Sequence, residues 1–374
     1  MSAVVVGGAL ANKAGSGGEA WVRMSWVRGL QQLGHDVWFV EQLAEGGAPD
    51  GPDVAWFGAI ADQFGLGDRA LLLAGDDSVV GPNLADVVDV AADATLVNIS
   101  GHVDHPRLFP AFRRRVLVDI DPGFTQFWYA AGLAGARVAG HDEFFTIGEL
   151  IGAPGCPVPT SGLRWRPVRQ PVVLDDWPVT EAGSQDRFTT VGSWRGPYGA
   201  IEHDGQTYGL KVHEFRRFWD LPRYSPYRYE IALAIHPGDD ADRRALLERG
   251  WTLTDPEVAA GGTDPFRDYV QGSAAEFSVA QGVYVGTRCG WFSDRTVRYL
   301  ASGRPALVQD TGFGEVLPTG LGLVPFATIE EAITRADGIV DRYAEHSAAA
   351  RQIAERYFAA EVVLDRFCDE AGIA

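Results

Sequence analysis

Twice along this chain short apolar runs alternate with segments of helical periodicity, and proline crowds the stretch between the two series. Ala3–Gly8 reads as a buried strand and is followed by a Gly-rich loop, Ala9–Gly18. Glu19–Leu33 then carries apolar residues at helical spacing, Ala20, Met24 and Val27 beside Val22, Trp26, Leu30 and Leu33. Gly34 stops that helix, and Asp36–Val40 is a second strand. Further β-runs fall at Leu71–Leu73, Thr95–Ile99, Val116–Ile120 and Phe144–Ile147, with helix-compatible segments between most of them. Uniformly apolar strands joined by helices require a parallel sheet covered on both faces.

From Ile151 to Asp186 the periodicity is lost, and Pro154, Pro157, Pro159, Pro167, Pro171 and Pro178 mark an irregular connection. The alternation restarts with strands expected at Phe188–Val191, Tyr229–Ile235, Phe277–Val279 and Ala306–Gln309. Helices are expected at Leu210–Trp219, Ala241–Arg249, Phe266–Gln271, Asp294–Ala301, Thr328–Phe358 and Ala359–Ala371. A chain of 374 residues exceeds what one core normally organises. The expected division is a Rossmann-like domain over residues 1–165, a linker over 166–186, a second Rossmann-like domain over 187–355 and a C-terminal helix over 356–374. Two such α/β domains, their parallel sheets facing across a cleft, would place ligands at the C-terminal ends of the strands.

Hydrophobic residues make up 46% and charged residues 22%, so a packed globular protein is expected. The formal net charge of −18 argues against a nucleic-acid partner or an anionic membrane surface. No apolar stretch approaches the roughly 18 residues of a membrane span, and the N-terminus reads as a strand rather than a leader. Cys156, Cys289 and Cys368 lie far apart without metal-type spacing, which fits a reducing, cytoplasmic setting. Among 32 basic residues only Lys13 and Lys211 are lysines.

Two segments carry binding chemistry. A helix opening at Ser293-Asp294-Arg295-Thr296 leaves its first N–H groups unpaired at the positive end of its dipole, a seat for a diphosphate. Ser293 and Thr296 would add hydroxyls and Arg295 a charge, although Ser293 or Asp294 also reads as a plain N-cap. In the other segment the strand from Phe188 runs into a glycine-bearing turn, Gly192-Ser193-Trp194-Arg195, whose amides could approach a phosphate. Lys211 follows, and it reads equally as a solvated surface lysine. The loop containing Lys13 lacks both common phosphate-loop fingerprints. Its Gly15, Gly17 and Gly18 either bring backbone towards a ligand or form a plain connection.

The run from Phe266 to Gly314 resembles the donor-binding half of GT-B glycosyltransferases. The matching pieces are Gly290-Trp291-Phe292, Ala301-Ser302-Gly303-Arg304-Pro305 and Asp310-Thr311-Gly312. The closest likeness is to an uncharacterised actinobacterial-type subgroup, whose opening also resembles residues 17–43. The resemblance implies a GT-B fold and a metal-independent, cofactor-free enzyme moving a sugar from a nucleoside-diphosphate sugar to a small-molecule acceptor. The donor would lie in the C-terminal domain on Ser193, Trp194, Arg195, Lys211, Ser293, Asp294, Arg295, Thr296, Asp310 and Thr311, with Gly17 and Gly18 opposite. Alternatives are an epimerase or hydrolase of the same fold and an inactive nucleotide-sugar-binding protein. Anchored on Ala301-Ser302-Gly303, the two glutamates of many retaining members fall on Gly290 and Arg298, and neither is acidic.

A base for the acceptor hydroxyl is expected from residues leaving the N-terminal strands. Among His102, Asp104, His105, Asp119, Asp121, His141, Asp142 and Glu143, the better choices are His102 and Asp121. Asp119-Ile120-Asp121 also mimics a metal-binding DxD, with both carboxylates on one face if the strand continues through them. Two α/β halves argue against that reading, and no metal is expected.

Overall fold

Val4, Val5 and Val6 are fully buried in succession, which requires a strand covered on both faces. They belong to β1 (Ala3–Gly7), in one sheet with β2 (Asp36–Gln42), β3 (Ala70–Ala74), β4 (Asp77–Val80), β5 (Thr95–Ile99), β6 (Arg114–Asp119), β7 (Glu143–Thr146) and β8 (Trp165–Pro167). The strand order is β4-β3-β2-β1-β5-β6-β7-β8. All pairings are parallel except β3 with β4. This computed structural model describes residues 3–373 apart from Glu45, Pro49, Ala182 and Pro197.

The second sheet contains β9 (Arg187–Ser193), then, after a small hairpin of β10 (Ile201–His203) and β11 (Gln206–Tyr208), β12 (Arg228–Ala234), β13 (Thr252–Thr254), β14 (Ala275–Ser278), β15 (Ala306–Gln309) and β16 (Leu323–Phe326). Its order is β13-β12-β9-β14-β15-β16, parallel throughout. Its core is aromatic: Phe277 stacks on Phe326 at 5.1 Å and meets Tyr229 edge-on, with Phe188, Phe215 and Trp251 around them. In each sheet the order reverses beside the first strand, between β1 and β5 and between β9 and β14. Loops leaving the C-terminal ends of those pairs diverge there and open a ligand crevice.

The chain divides into two units. One comprises residues through Gly148, Pro159–Val173 and the segment from Ala359 on; the other comprises Glu149–Val158 and Leu174–Phe358. The division differs from the expected 1–165, 166–186, 187–355 and 356–374 at three places. Within the expected linker, Trp165–Pro167 pairs with β7, so proline marks an edge strand there rather than loose chain. Residues Glu149–Val158 leave the first unit and pack in the second, where Leu150 N–H donates to the Cys289 carbonyl at 3.0 Å. The terminal helix Ala360–Ala371 belongs to the first unit, because Gly29 on the helix Gly17–Gln32 leaves no room for a Cβ against Ala360 and Leu364. The expected single helix over Thr328–Phe358 is broken at Arg342 into Ile329–Asp341 and Tyr343–Tyr357.

Candidate functional site

At the switch point of the second sheet β9 ends in Gly192 and Ser193, β14 ends in Ser278, and the helix Asp294–Ala301 begins nearby. Lys211 lies beneath Gly192: a Cβ built there would stand 2.6 Å from the Lys211 Nζ. The glycine is therefore what lets the ammonium approach the end of β9. Lys211 has no hydrogen-bond or ion-pair partner among the described residues. Burial first, and then the neighbouring Arg295 charge, bring it down to about 7, with Glu276 opposing.

Arg295 is committed elsewhere. Its guanidinium donates to Glu276 Oε1, the Val191 carbonyl and Ser278 Oγ, each at 2.7 Å. It is a buried ion pair that braces β9 against β14, which corrects its expected role as a direct phosphate ligand. Glu276 is fully buried, and its Oε2 has no partner among the described residues. Sequence reading missed this carboxylate, although a lone acid inside the apolar run of β14 was a signal that something basic must meet it.

Ser293 is the N-cap of Asp294–Ala301, and its side chain makes no capping bond. The first helical N–H groups therefore receive no bond from the cap side chain, beside a small hollow lined by Ser278, Ala280, Trp291, Ser293, Thr296 and Gln309. Trp291 stacks on Tyr284 at 4.3 Å beside that pocket. Gln309 fixes the loop after β14, accepting from the Ala280 N–H at 3.1 Å and donating to Glu214 at 2.7 Å.

Other expected donor residues have different employment. Trp194 is buried, packs edge-on against Phe215 and donates Nε1–H to Asp242 at 2.8 Å; it supports the core and offers no side chain to a ligand. Arg195 is held by Asp239, with Nε 2.8 Å away, so its charge is already neutralised. Asp310 pairs with Arg288 at 2.8 Å and accepts from the Gly312 N–H. Thr311 donates to the Trp291 carbonyl at 2.5 Å. Both secure a turn. Asp294 accepts from Arg298 at 3.4 Å, leaving its position at the helix start unchanged. Ser193, exposed at the end of β9, and buried Thr296 stay at the crevice.

Gly290 (φ +76) closes on the strap from Glu149, where a Cβ would lie 2.9 Å from Leu150 Cγ, so no side chain fits at 290. Arg298 is fully buried over the Trp177 ring. The departures from the two-glutamate pattern are thus built into the packing.

In the first unit Gly17 and Gly18 start the helix Gly17–Gln32, two residues before the periodicity begins, and the N-cap Ser16 makes no side-chain bond. The loop ahead is pinned by buried Glu41, which accepts from the N–H groups of Leu10 (2.6 Å), Ala11 (2.8 Å) and Asn12 (2.9 Å) and from Asn12 Nδ2 (2.7 Å). Arg137 Nη1 stands 2.7 Å from His102 Nδ1. Burial and the charges of Arg23, Arg137 and Lys13 lower His102 to about 3. The ring is neutral at physiological pH and its Nδ1 is occupied by a cationic donor, which corrects the expectation of a general base. Asp119 is buried and accepts from Thr125 (2.7 Å), Gln126 (2.8 Å), Thr146 (2.7 Å) and the Asp121 N–H (3.0 Å). β6 stops at Asp119 and the chain turns, so the two carboxylates do not share the strand face that a DxD reading needs.

Paired parallel sheets of this order make up the GT-B fold, and comparison with solved structures bears this out. Alpha-glucosyltransferase (AGT) in complex with UDP matches over 100% of both chains at 9% identity and a TM-score of 0.61. Anabaena HepE in complex with UDP and glucose matches over 100% of both chains at 11% identity and 0.62. A glycosyltransferase involved in avilamycin A biosynthesis matches over 100% of this chain and 97% of its own at 14% identity and 0.59. No protein-family profile and no curated protein matches the sequence. At these identities the fold is what is shared.

Alpha-glucosyltransferase has also been solved with UDP and a 13-mer DNA containing a HMU base. The exclusion of nucleic acid drawn from the net charge of −18 therefore fails, because an average charge does not describe the field at one crevice. No helix among the described residues is long and apolar enough to cross a membrane.

Proposed function

We propose that the protein is a glycosyltransferase that moves a sugar from a nucleoside-diphosphate sugar to a hydroxyl of a small soluble acceptor, with no resident metal or cofactor. The observation that carries this reading is the Lys211 ammonium beneath Gly192, without a partner among the described residues, at the switch point where the helix start at Ser293 also opens. An ammonium and a set of free N–H donors stabilise the charge that grows on a departing diphosphate. Neighbours solved with UDP support a nucleoside-diphosphate ligand and make uracil the first base to test. The bond from the anomeric carbon to the diphosphate oxygen breaks, the bond to the acceptor oxygen forms, and the hydroxyl proton leaves to a base, for which Asp121 is retained.

Incubation with UDP-glucose, alone and with a panel of hydroxyl acceptors and short DNA duplexes, tests the proposal. Acceptor-dependent release of UDP with a glycosylated product is expected. A new nucleotide sugar or free sugar from donor alone would identify an epimerase or a hydrolase instead. Binding without any turnover would identify a nucleotide-sugar-binding protein.

A further inference from the structure

The sheet of the first unit has its own switch point, between β1 and β5, and the loops leaving those strands carry Lys13 and His102. We infer that this point binds an anionic group, a phosphate or a carboxylate, through Lys13, Arg137 and the Nε2–H of His102, and that the group belongs to the acceptor. The assignment to an acceptor rests on the transferase reading above.

The tautomer of His102 follows from its neighbour. A guanidinium only donates, so the 2.7 Å approach of Arg137 Nη1 makes Nδ1 the acceptor and leaves the ring proton on Nε2. His102 is thus a fixed neutral donor. The groups that act on it are three cations, Arg23, Arg137 and Lys13, against the single carboxylate Glu19. Arg23 is buried and paired with Glu19. Neither Lys13 nor Arg137 has a carboxylate partner among the described residues. Glu41 beside this loop is spent on the Leu10, Ala11 and Asn12 amides, and Asp104 Oδ1 accepts from Gln42 Nε2 at 2.7 Å.

The arrangement is built rather than incidental. A Cβ on Gly101 (φ +65) would stand 2.7 Å from Arg137 Cβ and 2.8 Å from its carbonyl oxygen, so the loop after β5 packs directly against Arg137. Ser100 beside it takes the left-handed region (φ 55), and so does Arg137 itself (φ 52). Non-glycine residues hold such conformations where the surroundings enforce them, and functional sites concentrate them. In a chain of net charge −18, three cations, two of them outside any ion pair among the described residues, outweigh Glu19 around His102 and create a local field that attracts an anion.

Calorimetric titration of the full chain with inorganic phosphate, and with acetate as the carboxylate arm, tests this with and without saturating UDP. Phosphate or acetate is expected to bind in both conditions. Arg137→Ala and Lys13→Ala are each expected to weaken that binding by about tenfold or more, with UDP affinity unchanged and Arg137→Lys recovering part of the loss. Unchanged anion binding in both alanine variants, or none in the wild type, overturns the site. Anion binding abolished by UDP, with UDP affinity lowered in the variants, would mean that the donor's own phosphate occupies it and overturns the acceptor assignment. UDP binding by the wild type reports separately on the transferase reading, so the two failures are distinguishable.

Discussion

Lys211 should make donor binding depend on pH in a way no ordinary lysine would. In the empty protein it sits near 7 because burial and Arg295 disfavour its charge. A diphosphate placed against Nζ favours the ammonium, so binding requires the protonated form and draws in a proton when the group starts neutral. At pH 8 about one-tenth of the sites are protonated, and each further pH unit costs about tenfold, or about 1.4 kcal/mol. Affinity for UDP should therefore fall about fiftyfold between pH 7 and pH 9. The terminal phosphate of UDP ionises near pH 6, so the decline above pH 7 is free of it. Lys211→Met keeps the length and loses the charge; it should bind UDP about tenfold or more weakly at pH 7 and show no slope above it. The assay is calorimetric titration at pH 7, 8 and 9 in two buffers of different ionisation heat, which also counts the protons taken up. The stability of the empty protein should move oppositely. A lysine whose folded value lies below its ordinary 10.5 leaves the unfolded chain holding the extra proton between about 7 and 10.5, so stability rises with pH through that window. A UDP affinity flat from pH 7 to 9, or an equal slope in the Met variant, would refute the assignment.

Two further substitutions probe the same crevice. Gly192→Ala places a methyl 2.6 Å from the Lys211 Nζ, so the ammonium must swing away; UDP affinity should drop about tenfold with little change in melting temperature, checked by titration and thermal denaturation. Glu276→Gln leaves buried Arg295 without its counter-charge and should cost about 3 kcal/mol of unfolding free energy, read from urea denaturation.

Much of the fold was legible because its signals are local. Thr95–Ile99, Ala306–Gln309 and Asp294–Ala301 fall on the expected boundaries, since each is an apolar run or amphipathic turn bounded by a polar residue or glycine. β8 and β16 were missed because each carries a proline, Pro167 and Pro325, that reads as a breaker unless its pairing is known. The site was less legible. Lys211 stood out through rarity alone, whereas Trp194 and Arg195 looked like phosphate ligands until Asp242 and Asp239, more than forty residues on, were seen to take them. His102 reads as a base in sequence, and only Arg137, brought in by an intervening loop, shows that its lone pair is already occupied.

On the proposed function a nucleoside diphosphate sits at the β9–β14 crevice of the second unit. A crystal structure of the protein grown with UDP tests it most directly. The terminal phosphate is expected within hydrogen-bonding distance of Lys211 Nζ and of the first N–H groups of the helix that begins at Asp294. UDP seated elsewhere, with Lys211 untouched, would contradict it.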